Sequence, residues 1–144
     1  MTINQLSIVI ENRSGTLVKV LDILKQSGIQ IIASTIADTA EYGIYRLSCS
    51  EPTRAYQELK NAGVAVALSD VFALKLDNEP GKAADAVRII SDADISITYM
   101  YTFLWGGKGI LIFRTDQTEK AREVILRNEL SFIAEKDLVG RGES

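Results

Sequence analysis

The chain has 144 residues, of which 47% are hydrophobic and 24% are charged, the composition of a globular protein with a core of its own. It contains no histidine and only one cysteine, which excludes histidine-based catalysis, histidine metal sites, internal disulfides and multi-cysteine metal centres. A net charge of −3 argues against a nucleic-acid partner, because such domains are usually basic. These exclusions leave few ways for the chain to be an enzyme. We expect no catalytic residues, no metal and no cofactor.

The two ends of the chain and its apolar runs predict a cytoplasmic protein with no membrane partner. The first five residues lack the basic segment of a signal peptide. No apolar run approaches the roughly 18 residues that a membrane helix needs. The last residues are polar and rich in glycine, so we expect a short disordered tail from about residue 138.

The two halves of the sequence resemble each other at a constant offset of 66 residues. The glycines and the apolar periods of the halves match without a gap, which is typical of an internal repeat. We therefore predict two domains, one over residues 1–69 and one over 70–144. The matched pairs include Asn12 and Asn78, Gly15 and Gly81, and Gly43 and Gly109.

The first half predicts the order strand, helix, strand, strand, helix, strand. Apolar residues alternate over residues 6–11, as in a strand with one buried face. Ser14 is a suitable N-cap for a helix whose apolar stripe is Leu17, Val20, Leu21 and Leu24. The other predicted elements are a strand from residue 29, a strand over 44–49, a helix from Pro52 and a strand over 64–68.

The second half predicts the same order. A strand over residues 72–76 ends at a break in which Pro80 suits the first position of a helix. That helix has an apolar stripe of Ala83, Ala86, Val87 and Ile90. The other predicted elements are strands over 95–104 and 110–115 joined by a hairpin, a helix around residues 121–125 and a strand over 130–135.

The βαββαβ order predicts an α+β fold of two ferredoxin-like repeats, each with an antiparallel sheet and its helices on one face. RNA-recognition modules share this order, and residues 108–113 begin like one of their motifs. However, Ile110 and Ile112 stand where the base-stacking aromatic residues would be. This is a second reason to expect no nucleic-acid partner.

Two segments resemble the opening of an ACT domain, in which a strand runs into a loop of the D/N-x-P-G type followed by a helix. They are DVFALKLDNEPGK (residues 70–82) and ENRSGTL (residues 11–17), the latter with Ser14 in place of the proline. The resemblance covers residues 3–68 and 70–137, so the chain is similar to stand-alone tandem ACT proteins. It implies a non-catalytic protein that binds a free amino acid and regulates an enzyme of amino-acid metabolism. The ligand of such proteins lies where the loop of one ACT unit faces the second strand of its neighbour.

The chemistry of the two loops agrees with this implied role. The unpaired N–H groups of a helix N-terminus suit a carboxylate. A glycine at the turn lets a ligand approach the backbone, and an asparagine offers both a donor and an acceptor. The predicted ligand-binding residues are Asn12, Arg13, Ser14, Gly15, Thr16, Leu17, Gln30, Ile31 and Ile32 in the first half, and Asn78, Glu79, Pro80, Gly81, Lys82, Ala83, Ser96, Ile97 and Thr98 in the second.

Two other functions stay open at this point. One is a small enzyme on a ferredoxin-like scaffold, and the other is a protein–protein interaction scaffold whose loops bind no ligand. A fold of this type hosts many functions, so the fold alone does not choose among them. Ligand binding, tested with free amino acids, would discriminate the regulatory protein from both.

The strands of the second half are apolar on both faces, and helices cover only one face of such a sheet. Either the first repeat or a second chain covers the other face. We expect a homodimer that buries Tyr99, Tyr101 or Phe103 together with Ile110 or Ile112.

Overall fold

A computed structural model of the chain describes residues 1–11, 14–38 and 42–137. The predicted site residues Asn12 and Arg13, part of the turn before residue 42 and the predicted tail from 138 lie outside the described residues. The elements are β1 (Ile3–Glu11), α1 (Ser14–Gln26), β2 (Ile31–Asp38), β3 (Tyr42–Cys49), α2 (Pro52–Asn61), β4 (Val66–Leu76), α3 (Lys82–Asp92), β5 (Tyr99–Trp105), β6 (Lys108–Arg114) and α4 (Thr118–Arg127).

Residue contacts divide the chain into two compact units. The N-terminal unit is Asn4–Asp70 with Glu135–Ser144, and the C-terminal unit is Met1–Ile3 with Val71–Ala134. The domain bounds of 1–69 and 70–144 stay predictions. Among the described residues, no helix is both long and apolar enough to cross a membrane.

The N-terminal unit has the strand order β2-β3-β1-β4. β3 pairs antiparallel with β1 and with β2, with Leu47 opposite Leu6 and opposite Ser34. Helices α1 and α2 pack on one face, as the sequence predicts, but Leu21 of the predicted stripe is exposed and Ile23 packs against the core instead. The most deeply buried side chains of this core are Leu6, Ile8, Val20, Leu24, Leu47, Ala55 and Leu59.

The C-terminal unit has the strand order β4-β6-β5, and β6 pairs antiparallel with both neighbours. The rings of Phe72 and Phe113 stack in its core with centroids 5.2 Å apart. β5 and β6 are joined by a two-residue turn of Gly106 and Gly107, whose φ angles are 60° and 79°, so Trp105 lies opposite Lys108.

The strand predicted over residues 130–135 is reduced to a single bridge between Leu74 and Phe132. The N–H of Ile133 donates to the carbonyl of Ala73 at 2.8 Å, and the N–H of Lys75 donates to that of Ser131 at 2.9 Å. The segment therefore lies beside β4 at the position a fourth strand would take, although it is too short to form a ladder.

The start of the predicted strand over 95–104 is also different, because β5 begins only at Tyr99. The Gln117 side chain holds the preceding segment, since its Oε1 accepts from the N–H of Ser96 at 2.9 Å and its Nε2 donates to the carbonyl of Asp94 at 3.1 Å. A side chain thus takes the place of a strand partner here.

Two predicted strands are joined in the structure. The strands predicted over residues 64–68 and 72–76 form the single strand β4.

Candidate functional site

The loop between β4 and α3 carries the clearer of the two predicted motifs. The N–H of Glu79 donates to the carbonyl of Asp77 at 2.9 Å, which folds the chain back after β4. Gly81 is the N-cap of α3 with a φ of 87°, and no side chain caps this helix end. Pro80 lies in the turn before the N-cap rather than at the predicted first position of the helix.

The start of α3 leaves backbone donors for a ligand. The first hydrogen bond of the helix runs from the N–H of Asp85 to the carbonyl of Gly81 at 3.0 Å. The N–H of Lys82 donates to the carbonyl of Glu79 at 3.4 Å. The N–H groups of the next two residues have no acceptor within the helix, and they lie at the positive end of its dipole. This helix end is therefore suited to an anionic group such as a carboxylate.

A groove of about 350 Å³ lies beside this loop within the C-terminal unit. Its floor follows the strand register, because Leu76 lies opposite Gly109 and Gly109 lies opposite Leu104. Residues that face each other across antiparallel strands share a face, so these three form one row across the sheet. The groove is lined by Leu76, Asp77, Asn78, Glu79, Lys82, Ala83, Thr102, Phe103, Leu104, Gly109 and Ile110.

Charged side chains of both signs surround the loop end of the groove. Lys108 Nζ lies 2.8 Å from Asp77 Oδ1, and Lys82 Nζ lies 3.9 Å from Glu79 Oε2. The hydrogen bond from Lys108 holds the pKa of the Asp77 carboxyl below its ordinary value, and the same contact raises the pKa of Lys108. This end of the groove therefore presents charges of both signs.

The groove brings together four of the predicted residues of the second half, Asn78, Glu79, Lys82 and Ala83. Ser96, Ile97 and Thr98 lie before β5, at the end of this strand away from the loop. The N–H of Thr98 donates to the carbonyl of Arg114. Arg114 is five residues, or roughly 17 Å, along β6 from Gly109 of the groove. A contact of these three residues with the loop of a neighbouring unit stays a prediction.

The sequence-based prediction missed Thr102, Leu104 and Gly109 as residues of the groove. The signal for them is the hairpin, because the turn at Gly106 and Gly107 fixes Gly109 opposite Leu104. That pairing is local and could have been read from the sequence. The pairing of Gly109 with Leu76 joins residues distant in sequence and could not.

In the first half, the described part of the predicted site lies in two places. Ser14 begins α1, and Gly15, Thr16 and Leu17 belong to its first turn. Ile31 and Ile32 begin β2 and Gln30 directly precedes it, and Ile31 is opposite Cys49. Because the loop end of β1 is opposite Tyr42 instead, these two groups lie at different ends of the sheet of the N-terminal unit.

A larger hollow of about 570 Å³ lies at the start of α2. Its polar side chains bond to nearby groups of the protein, with Asn4 Nδ2 3.5 Å from Glu135 Oε2 and Arg54 Nη1 3.0 Å from Glu51 Oε2. Ser50 Oγ accepts from the N–H of Gln30 at 3.0 Å. None of the predicted site residues is among the described residues that line this hollow.

The chain is similar to several solved structures. Protein BT0572 from Bacteroides thetaiotaomicron is 34% identical, with a TM-score of 0.91 over 96% of both chains. The regulatory subunits of aspartate kinase from Thermus thermophilus and Thermus flavus share the fold at 14% and 15% identity, with TM-scores of 0.60 and 0.58. Each of these matches covers 86% of this chain and 90% of the subunit. Comparison with curated protein sequences gives no significant match.

The family is established by the sequence as a whole. A family model described as an ACT domain pair matches residues 1–141, which is nearly the whole chain. The match agrees with the two repeats and the ACT resemblance that the loop segments indicate. The chain belongs to the ACT domain pair family.

Proposed function

We propose that this chain is a non-catalytic regulatory protein that binds a free amino acid in the groove beside the loop between β4 and α3. The observation that carries the proposal is the division of this groove into a charged end and an apolar floor. An α-amino acid has the same division, since its ammonium and carboxylate adjoin a side chain that is often apolar. Membership of the ACT domain pair family supports the same role.

The charged end provides a partner for each charge of the ligand. The ligand carboxylate accepts from the backbone N–H of Ala83 and lies near the Lys82 ammonium. The ligand ammonium donates to the side-chain oxygen of Asn78 and to the carboxylate of Glu79. All four of these residues line the groove.

We also propose that two copies of the chain pair through the edge strand β5. This strand ends the strand order of its unit and carries two exposed large apolar side chains, Met100 at 42% and Leu104 at 67%. An apolar edge strand is a template for pairing with another chain. Antiparallel pairing centred on Thr102 sets Met100 of one copy opposite Leu104 of the other, which removes both from water.

The proposed surface differs from the expected one. Ile110 and Ile112 are fully buried within the single chain, so they offer no area to a second copy. Tyr99, Tyr101 and Phe103 are half-buried, and they alternate with the exposed residues of the same strand. A partner strand paired to β5 would contact both sets.

The regulated partner that we propose is a metabolic enzyme in the cytoplasm. Two similar structures are named regulatory subunits of aspartate kinase, which supports a role as a separate regulatory chain. Because their identity to this chain is low, they support the type of role and not the particular enzyme. Amino-acid occupancy of the groove would be the signal that such an enzyme receives.

Thermal unfolding of the full chain with each of the twenty amino acids tests the proposal. A ligand at 100 times its Kd adds roughly 2.7 kcal/mol of stability, which raises the melting temperature by roughly 5–10 °C for a chain of this size. Lys82→Glu places a negative charge beside the ligand carboxylate and should abolish the shift. The matched charge reversal Lys120→Glu, at an exposed position of α4, should preserve it.

The outcomes separate the alternatives. If no amino acid raises the melting temperature at millimolar concentration, the amino-acid site is refuted and an interaction scaffold or an enzyme becomes the better explanation. If Lys82→Glu and Lys120→Glu both retain the shift, an amino acid binds elsewhere in the chain.

A further inference from the structure

Gly109 lies at the centre of the groove floor, between Leu76 and Leu104 in the row of three across the sheet. Its lack of a side chain leaves a recess there. A Cβ built on Gly109 would contact only Leu76, at 3.7 Å from its carbonyl oxygen and 3.8 Å from its Cβ, which are ordinary contact distances. The site therefore has room for additional carbon atoms above this glycine.

The walls of the recess are apolar. Leu76 and Leu104 lie on either side of Gly109 in the row, and Ala83 of α3 lines the same groove. The charged groups Asp77, Glu79 and Lys82 belong to the loop and to the start of α3. A charged ligand side chain in the recess would lose its water without gaining a partner, whereas an apolar one would gain from burial.

We propose that the recess above Gly109 receives the ligand side chain and selects an apolar amino acid of limited size. This inference rests on the proposed function, and it adds the chemical class of the ligand and a residue that determines specificity. Gly109 does not contact the charged groups of the ligand. It sets the depth available to the side chain, and Leu76 and Leu104 set the width.

The first half of the chain contains the matched position with a different neighbour. Gly43 lies opposite Ile10 and opposite Asp38, as Gly109 lies opposite Leu76 and Leu104. Asp38 of the first repeat is therefore the equivalent of Leu104 in the second repeat. The apolar row that forms the recess is thus specific to the C-terminal unit, and Gly43 provides a matched control for substitutions of Gly109.

Titration calorimetry of the full chain with a graded series of amino acids tests the inference. Affinity should rise from glycine through alanine to valine and leucine, by roughly fourfold for each methylene group buried. Aspartate and lysine should bind at least about tenfold more weakly than the best apolar ligand. Preference for a charged or strongly polar amino acid would overturn the inference.

Substitution of Gly109 provides the second arm of the test. Gly109→Val fills the recess, so affinity for the best apolar ligand should fall by at least about tenfold, while affinity for glycine or alanine changes by less than about threefold. Gly109→Ala adds a single methyl group in ordinary contact and should shift the preference towards the smaller ligands. Gly43→Ala should leave the ranking unchanged, and circular dichroism and melting temperature check that each variant is folded.

The failures of the two proposals are distinct. If the wild-type chain binds an amino acid in a Lys82-dependent way but Gly109→Ala and Gly109→Val keep its ranking, the proposed function stands and the recess has no role in selection. If the wild-type chain binds no amino acid, both proposals are wrong.

Discussion

Asp94 adopts a φ of +59° after α3, in the position where Gly28 adopts a φ of +70° after α1. The two residues are 66 positions apart, so they are equivalent in the two repeats. Both helices end with the same pair of backbone hydrogen bonds. After α1, the N–H of Gly28 donates to the carbonyl of Lys25 and that of Ile29 to the carbonyl of Leu24. After α3, the N–H of Asp94 donates to the carbonyl of Ser91 and that of Ile95 to the carbonyl of Ile90. This is the Schellman pattern, which places its C′ residue in the left-handed region.

The second helix of each repeat ends in the same way. Gly63 has a φ of +81° after α2, and Glu129 has a φ of +53° at the equivalent position after α4. The backbone conformation is thus common to both repeats, whereas glycine is present only in the first. Only glycine adopts it without the steric cost of a Cβ, so both helix ends of the C-terminal unit are strained.

Glu129→Gly should therefore stabilise the protein. The left-handed conformation costs a residue with a Cβ roughly 1–2 kcal/mol, and glycine loses part of this gain through its larger entropy when unfolded. We expect a net gain of about 0.5–1 kcal/mol in the free energy of unfolding, measured by urea denaturation. Lys120→Gly, in the first turn of α4, should instead cost up to about 1 kcal/mol. A loss of stability in Glu129→Gly would contradict the account of strain.

Lys108→Met should raise the pKa of Asp77, which can be followed by NMR titration of its carboxyl carbon. The hydrogen bond from Lys108 is the largest cause of the lowered value, and the charge of Lys82 is the smallest. Because the folded-state pKa is the lower one, the pair stabilises the fold above the ordinary pKa of aspartate and ceases to do so as pH falls through the folded value. A larger rise in Lys82→Met than in Lys108→Met would refute the assignment of this pair.

Cys49 makes the protein less stable at alkaline pH. Burial raises the pKa of its thiol from 9.0 to about 11. The folded state therefore favours the neutral thiol, and this contribution is complete below pH 9 and is lost as pH rises towards 11. The difference in unfolding free energy between the wild type and Cys49→Ala should fall by about 2–3 kcal/mol over this interval. A difference that is constant up to pH 11 would show that the thiol is not perturbed.

Leu104→Glu should dissociate the proposed dimer, because it places a charge opposite the apolar Met100 of the other copy at both ends of the contact along β5. Light scattering of the wild type at micromolar concentration should give twice the chain mass of 15.8 kDa, and the variant should give the mass of one chain. Leu126→Glu, at a position of α4 that is 56% exposed, is the control and should remain dimeric. A monomeric wild type would exclude pairing through β5.

Local patterns in the sequence were sufficient to predict most of the helices and strands. The alternation around Leu6 and the stripe around Val20 and Leu24 place these residues in the core as predicted. Predictions were wrong where a distant residue decides the local structure. Gln117 bonds to the backbone before β5, and nothing within the segment itself indicates that a side chain replaces its strand partner.

The candidate site also has a part that local sequence predicts and a part that distant residues determine. The loop with Asn78 and Gly81 could be predicted because its residue types carry the chemistry of a turn and a helix start. The strand side could not, because it depends on which residue of β6 lies opposite Leu76. That register is determined by the pairing of β4 with β6, which joins residues more than thirty positions apart.

The four residues Ile110, Leu111, Ile112 and Phe113 are each fully shielded from solvent, and β6 lies between β4 and β5. Amides in such a strand exchange with deuterium only when the whole unit opens, so β6 should be among the last segments to exchange. Gly109 directly precedes this segment, so the groove floor adjoins the slowest-opening part of the unit. A ligand side chain too deep for the recess would therefore have to displace a floor that is joined to this slowly opening strand.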